Sequence, residues 1–382
     1  MINLSEKRKY LIYSFFLFIT SFNFVRFLNT NLNSGNEFQI AGWLINYNYG
    51  FTRRGLFGSL IINFFEDSTS LNLFLSLLLT AIYFYIAIGI LKIFFDYEQN
   101  LISILILFSP AFYLYNFWDF TGSYRKEILG IATLIYLIRN LNTKYQLKVT
   151  IFTFVLLNFS IYSSEVNLFL IFPIWFIFKS NFHEISLQLK NSLVAFTVGG
   201  FSLIYIYNSL ILNSNITIGS KICSQLKTLG YSDKICDGSL YYLDLNTADT
   251  FNRTFNYVTN QTYDYKIYIF LFFYFLIPFL IDKSLIFENK FTILNIINFL
   301  PLFLIANDWG RWFYIFFIVI GLNYFCNSNK TRYFQINRTT IILSIIYLTS
   351  FRLNHCCIET TNPSYLNWIP FSHIYQYLDR FF

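Results

Sequence analysis

Two adjacent guanidinium groups, Arg53 and Arg54, lie within Gly50-Phe-Thr-Arg-Arg-Gly-Leu-Phe-Gly58, in a chain where charge is scarce. Neighbouring arginines flanked by glycines can offer a broad set of donors to a phosphate or diphosphate. The simpler account is that they reach lipid headgroups from an interfacial helix. Three other polar stretches bear on the choice. Trp118-Asp-Phe-Thr-Gly-Ser-Tyr-Arg-Lys-Glu127 holds Asp119, Arg125 and Lys126. Ser163-Ser-Glu-Val-Asn167 holds Glu165, and Asn307-Asp-Trp-Gly-Arg-Trp312 holds Asp308, Trp309, Arg311 and Trp312. Carboxylates near cations suit proton transfer beside an anionic group: the carboxylate takes a proton, and the cations hold developing negative charge. The tryptophans read first as an interfacial belt, and their faces also suit stacking on sugar rings.

The elements that must position these residues follow from composition. Of 382 residues, 55% are apolar and 12% are charged. That describes a polytopic helical membrane protein, not a soluble domain. The formal charge of +7 is spread thinly, and no basic run suggests nucleic acid. Eleven apolar segments approach the length needed to cross a bilayer, at roughly 10–28, 71–95, 101–117, 125–141, 149–163, 166–178, 191–213, 266–282, 291–306, 310–326 and 338–354. The first reads as a retained span rather than a cleaved signal.

Alternate short connections carry the basic residues Lys7, Arg8 and Lys9; Arg139, Lys144 and Lys148; Lys179 and Lys190; Lys283 and Lys290; and Lys330, Arg332 and Arg338. The positive-inside rule then puts the N-terminus inside and the C-terminus outside. All four polar clusters fall at the outer boundary. Arg125 and Lys126 are expected in the first turn of the fourth span, and Arg311 in that of the tenth. Cations there oppose the helix dipole by about 0.3–1 kcal/mol each, a placement easier to understand if an anion sits among them. Local accounts also exist: Asp308 capping the tenth span with Arg311 as its partner, or Ser123 capping the fourth with Glu127 balancing Lys126.

The single integral membrane domain has three notable segments: an outer loop at 29–70 with an amphipathic stretch, a larger outer loop at 214–265, and an outer interfacial tail at 355–382. Cys223 and Cys236 in the larger loop suit a disulfide in an oxidising compartment. With only three histidines and no ligand spacing among the remaining cysteines, no zinc site is expected. A divalent metal is compatible with the carboxylates but not required. Few charges fall inside the spans, against a proton-coupled transporter. No P-loop, GxSxG or HExxH pattern is present.

The layout resembles the lipid-sugar-dependent glycosyltransferases called GT-C, and the oligosaccharide-unit polymerases of bacterial surface-polysaccharide pathways, including O-antigen assembly. The resemblance rests on the architecture and on Gly50 to Gly58, Asp119 to Glu127, Glu165 and Asn307 to Trp312. It implies sugar transfer from a polyprenyl phosphate or diphosphate to a glycan acceptor at the outer face of the inner membrane, with no cofactor. Partners would be membrane lipid, the donor, the acceptor and a polysaccharide assembly complex. GT-C members usually place a catalytic acid early in the first outer loop. Here the only early acid is Glu37, with Glu66 and Asp67 near the start of the second span, which leaves the base open among Asp119, Glu165 and Asp308. Arg53, Arg54, Arg125, Arg311 and Lys126 are the expected phosphate ligands, with Trp309 and Trp312 for the sugar. A lipid-linked oligosaccharide flippase and a non-catalytic scaffold are the rival classes.

Overall fold

The computed structural model describes residues 6–32, 35–96, 100–181, 217–245, 249, 252, 255–256, 265–281, 290–305, 307–327 and 338–356. The segment 191–213, expected as the seventh span, lies outside them, as does the tail beyond Cys356. In chain order the α-helices are α1 (Glu6–Asn31), α2 (Ala41–Leu44), α3 (Leu56–Ile61), α4 (Ser68–Asp96), α5 (Leu101–Leu107), α6 (Tyr115–Trp118), α7 (Glu127–Arg139), α8 (Gln146–Ser163), α9 (Ile171–Asn181), α10 (Ile218–Thr228), α11 (Ser239–Asp244), α12 (Tyr265–Ile281), α13 (Lys290–Ile305), α14 (Trp309–Asn327) and α15 (Arg338–Ser350). A 3₁₀ segment, Glu165–Leu170, leads into α9.

Among the described residues, four helices are long and apolar enough to cross a membrane: α1, α4, α8 and residues Trp309–Cys326 of α14. Shorter apolar helices cover Lys266–Ile281, Phe291–Phe303 and Arg338–Ser350. The 29 residues of α4 rise about 43 Å at ~1.5 Å each. Apolar side chains stay exposed on α4 (Leu73, Phe74, Leu77) and α15 (Ile341, Ile342, Leu343, Ile345, Ile346). Surfaces of that kind are at ease in hydrocarbon rather than water, consistent with an integral membrane protein.

The third expected span is not one continuous helix. Asn100 and Ser103 form a reciprocal capping box at the start of α5, with Ser103 N donating to Asn100 Oδ1 at 2.7 Å and Asn100 N to Ser103 Oγ at 2.9 Å. The helix then stops at Leu107, because Pro110 follows and disfavours helical geometry at the residue before it. Turns carry the chain to α6 and to Asp119.

The chain divides into two compact units, one comprising Met1–Tyr13, Ile90–Ser123 and Phe251–Phe382, the other Ser14–Gly89 and Tyr124–Thr250. In the second unit, α7 packs on α8 and on the Glu165–Leu170 turn, and α3 packs on α2 and α8. Close approach there requires Gly58, where a Cβ would lie 2.1 Å from the Ile45 carbonyl oxygen. Segment 218–244 is tied together by the Cys223–Cys236 disulfide and by Asp244, which accepts from Gly219 N (2.5 Å) and Ser220 N (2.9 Å) at the start of α10. The same segment joins the helices through Tyr231, whose hydroxyl donates to Asn72 Oδ1 at 2.6 Å. In the first unit, α5 packs on α12 and α14, and α13 on α14. Ring pairs such as Phe272–Phe313 at 4.9 Å and Tyr274–Tyr347 at 5.3 Å join α12 to α14 and to α15.

Candidate functional site

The sequence-predicted site residues fall into two groups, one in each unit. The stretch 118–127 is itself divided, with Asp119 in the first unit and Arg125 and Lys126 in the second.

In the second unit Arg54 meets Glu165 across 111 residues of sequence, its Nε donating to both carboxylate oxygens at 2.8 Å and its Nη2 to Oε1. Arg54 holds φ at 65°, a left-handed conformation uncommon for a side-chain-bearing residue. Lys126 Nζ donates to the Arg54 carbonyl oxygen at 2.6 Å, and its charge lies 5.9 Å from the Trp43 ring. The adjacent arginines do not act as one fork: Arg53 turns to the Tyr242 carbonyl oxygen at 2.7 Å. Arg125 sits over the Phe38 ring at 5.1 Å.

The backbone that presents Arg125 and Lys126 is clamped at Tyr124, which also has positive φ, at 60°. Tyr124 N donates to the Tyr83 hydroxyl at 2.9 Å, Trp43 Nε1 donates to Tyr124 O at 2.7 Å, and the Tyr124 ring stacks on Phe27 at 4.0 Å. One expectation is corrected here. Arg125 and Lys126 do not lie in the first turn of a helix, because α7 begins at Glu127 with Lys126 as its N-cap. Glu127 in the first turn and Arg139 in the last both complement the dipole. Ser123 does not cap α7 either; its hydroxyl donates to Phe120 O at 2.6 Å.

Electrostatics separate the charged groups of this cluster. Burial would raise the Glu165 carboxyl, but the charge of Arg54, its hydrogen bonds and the charge of Arg53 outweigh that and hold it at about 2. Lys126 is buried. Burial pushes its ammonium well below the usual lysine value, and the charge of Arg54 adds to the effect, against an opposing pull from Glu165 and Glu127.

In the first unit the centre is Asp119, a buried carboxylate. It accepts from Thr121 Oγ1 (2.9 Å), Gly122 N (3.1 Å) and the Tyr115 hydroxyl (3.2 Å). His355 completes the set, giving both its backbone N–H and its ring, with Nδ1 2.9 Å from Oδ2. Burial would raise Asp119, but its interaction with the His355 ring, that ring's hydrogen bond and those from Thr121 and Gly122 bring it to about 2. Arg352 is close enough for its charge and that of Asp119 to act on each other. Nearby, Arg311 lies in the first turn of α14 as expected and pairs with Asp308 at 3.1 Å, which is the local partnership the spacing allows.

The two tryptophans differ. Trp312 is 2% exposed and its ring is taken by the Arg311 guanidinium at 4.8 Å, so it offers no face to a sugar. Trp309 is half-buried, donating through Nε1 to Phe303 O at 3.0 Å. Among the described residues no group of three His, Cys, Asp or Glu side chains is arranged to hold a metal ion. Sequence reasoning passed over His355 and Arg352. The available signal was the polar residues Arg352, Asn354 and His355 at the end of the last apolar segment, 338–354.

No family model matches the chain, and neither a curated protein nor a solved structure matches it.

Proposed function

We propose that this chain transfers sugar from a polyprenyl phosphate or diphosphate donor at the outer face of a bacterial inner membrane, in assembly of a cell-surface polysaccharide. The GT-C-like arrangement of about eleven spans, N-terminus inside, belongs to the same proposal. Arg53, Arg54, Arg125 and Lys126 of the second unit are its phosphate-binding cations; in the first unit, taken by itself, Arg311 is offered as a phosphate-binding cation and Trp309 as a stacking ring. The observation that carries it is Lys126. This ammonium is 5% exposed, forms no ion pair among the described residues, and donates to one backbone carbonyl there. A charge withdrawn from water with no carboxylate in direct contact is destabilised, and a phosphate beside it would offset that. The bidentate Glu165 holds Arg54 in place at its Nε edge, and at a value of about 2 it is a weak base, better suited to orienting the guanidinium.

The chemistry asked of the cations is to stabilise charge that grows on a departing phosphate. The donor carries its own activation, so no nucleotide is needed. Transfer of a whole repeat unit, as in a polymerase, uses the same step. A flippase needs polar side chains along its spans, whereas the charges here gather at segment ends.

The test is transfer in proteoliposomes containing the full chain, with a short-chain polyprenyl phosphate bearing a labelled hexose and a second donor bearing a diphosphate. Arg53→Ala and Arg311→Ala are each expected to lose transfer at least tenfold while the protein inserts normally. Transfer untouched by both substitutions would end the enzymatic reading and favour a scaffold.

A further inference from the structure

Each of the three carboxylates that sequence reasoning offered as a base is already engaged: Glu165 by Arg54, Asp308 by Arg311, Asp119 by five donors. Asp119 is also buried, its side chain 6% exposed, while that of His355 is 20% exposed. Of the two, the histidine is the more exposed.

The imidazole is oriented by its contacts. Nδ1 faces the Asp119 carboxylate, 2.9 Å from Oδ2 and 3.1 Å from Oδ1, and an ionised carboxylate only accepts. The neutral ring therefore carries its proton on Nδ1 and leaves the Nε2 lone pair bare. Among the described residues nothing bonds to Nε2. The backbone is built to hold this residue there. His355 N donates to Asp119 Oδ2, and Gly310 N donates to His355 O at 2.9 Å. Two glycines clear its path. A Cβ on Gly310 would lie 1.7 Å from Asn354 O, and one on Gly122 would meet the Tyr115 hydroxyl at 2.3 Å and His355 Cβ at 2.5 Å.

We infer that Asp119 and His355 form a proton-accepting dyad for a hydroxyl-bearing ligand, with His355 Nε2 the acceptor and Asp119 its positioning residue. In the sugar transfer proposed above, on which this role rests, the acceptor hydroxyl oxygen bonds to the anomeric carbon. The bond from that carbon to the phosphate oxygen breaks with its electron pair, which leaves on the polyprenyl phosphate. The hydroxyl proton passes to Nε2 and from there to water. The groups facing the dyad are Thr121 and Tyr115, Arg352 after α15, and the Asp308–Arg311 pair, whose charges act on the Tyr115 hydroxyl.

The chain has three histidines, so ¹⁵N-histidine labelling of the full chain in lipid nanodiscs yields three ring systems, assigned with His183→Gln and His373→Gln. Neutral His355 is expected as the Nδ1–H tautomer, reverting toward Nε2–H in Asp119→Ala. An Nε2–H tautomer in the unaltered chain overturns the dyad. In the hexose-transfer assay, His355→Gln should lower turnover by about 10²–10⁴ with probe binding changed less than twofold. Unchanged turnover also overturns it. Absence of any transfer by the unaltered chain, with the expected tautomer present, upholds the dyad and counts against the polyprenyl-donor reading instead.

Discussion

The Lys126 ammonium donates to the backbone carbonyl of Arg54 at 2.6 Å, 72 residues earlier in the chain, and so sets a second cation directly against the arginine that grips Glu165. Like charges act on each other here, and the backbone at Arg54 and Tyr124 has positive φ. Such outliers persist where surrounding structure over-determines them, often at binding sites.

The Arg54–Glu165 pair makes stability depend on pH. The Glu165 carboxyl is held at about 2 in the folded chain, below its ordinary value near ~4.3. Its contribution is therefore complete above that ordinary value and fades as pH falls toward 2. Thermal melting in detergent between pH 7 and pH 3 should show the unaltered chain losing its advantage over Glu165→Gln below about pH 4. Because both side chains are partly exposed, at 34% and 24%, the difference at pH 7 should be modest, about 1–2 kcal/mol. Parallel melting curves across that range would contradict the pairing.

Gly122→Ala should displace His355 more than it unfolds the protein. The added methyl would press on the Tyr115 hydroxyl, His355 Cβ and Asp119 Oδ2, each within 2.6 Å, so the Asp119–His355 contact must adjust to admit it. The ¹⁵N signal of His355 should shift toward the Nε2–H form, with turnover reduced about tenfold or more. An unmoved signal would show that the glycine is not what admits the histidine.

Removing the Cys223–Cys236 link, which joins residues 13 apart, should destabilise the 218–244 segment by about 2–4 kcal/mol. Hydrogen exchange on Cys223→Ser/Cys236→Ser should show faster exchange in α10, including at Gly219, whose N–H bonds Asp244. Protection equal to that of the unaltered chain would mean that Asp244 and the contacts at Tyr231 suffice.

Composition made the helical membrane class legible, and the polar stretches were visible as interruptions of apolar runs. Asp308 and Arg311 were readable as partners because they sit one helical turn apart. What escaped was whatever depends on distance in the chain. Nothing local links Arg54 to Glu165, or Asp119 to a histidine 236 positions later. The third apolar segment misled because hydropathy is blind to Pro110, which ends α5 early. One residue also decided the helix-dipole argument: α7 starts at Glu127, which leaves Arg125 and Lys126 just outside it. Trp312 read like Trp309 in sequence, yet only burial distinguishes a ring that carries Arg311 from one that stays partly open.

The central claim is that the Lys126 amine is buried where it is for an anion rather than for the fold, and Lys126→Met tests it. Methionine fills similar volume without a charge, and replacing poorly compensated buried charge with an apolar side chain is often neutral or stabilising by about 1–4 kcal/mol. Melting temperature and binding of a short-chain polyprenyl phosphate probe are measured on the same full-length protein in nanodiscs. The expected result is an equal or higher melting temperature together with at least a tenfold weaker affinity for the probe. A lower melting temperature with affinity unchanged would mean that Lys126 serves the structure alone, and the anion-binding account would fail.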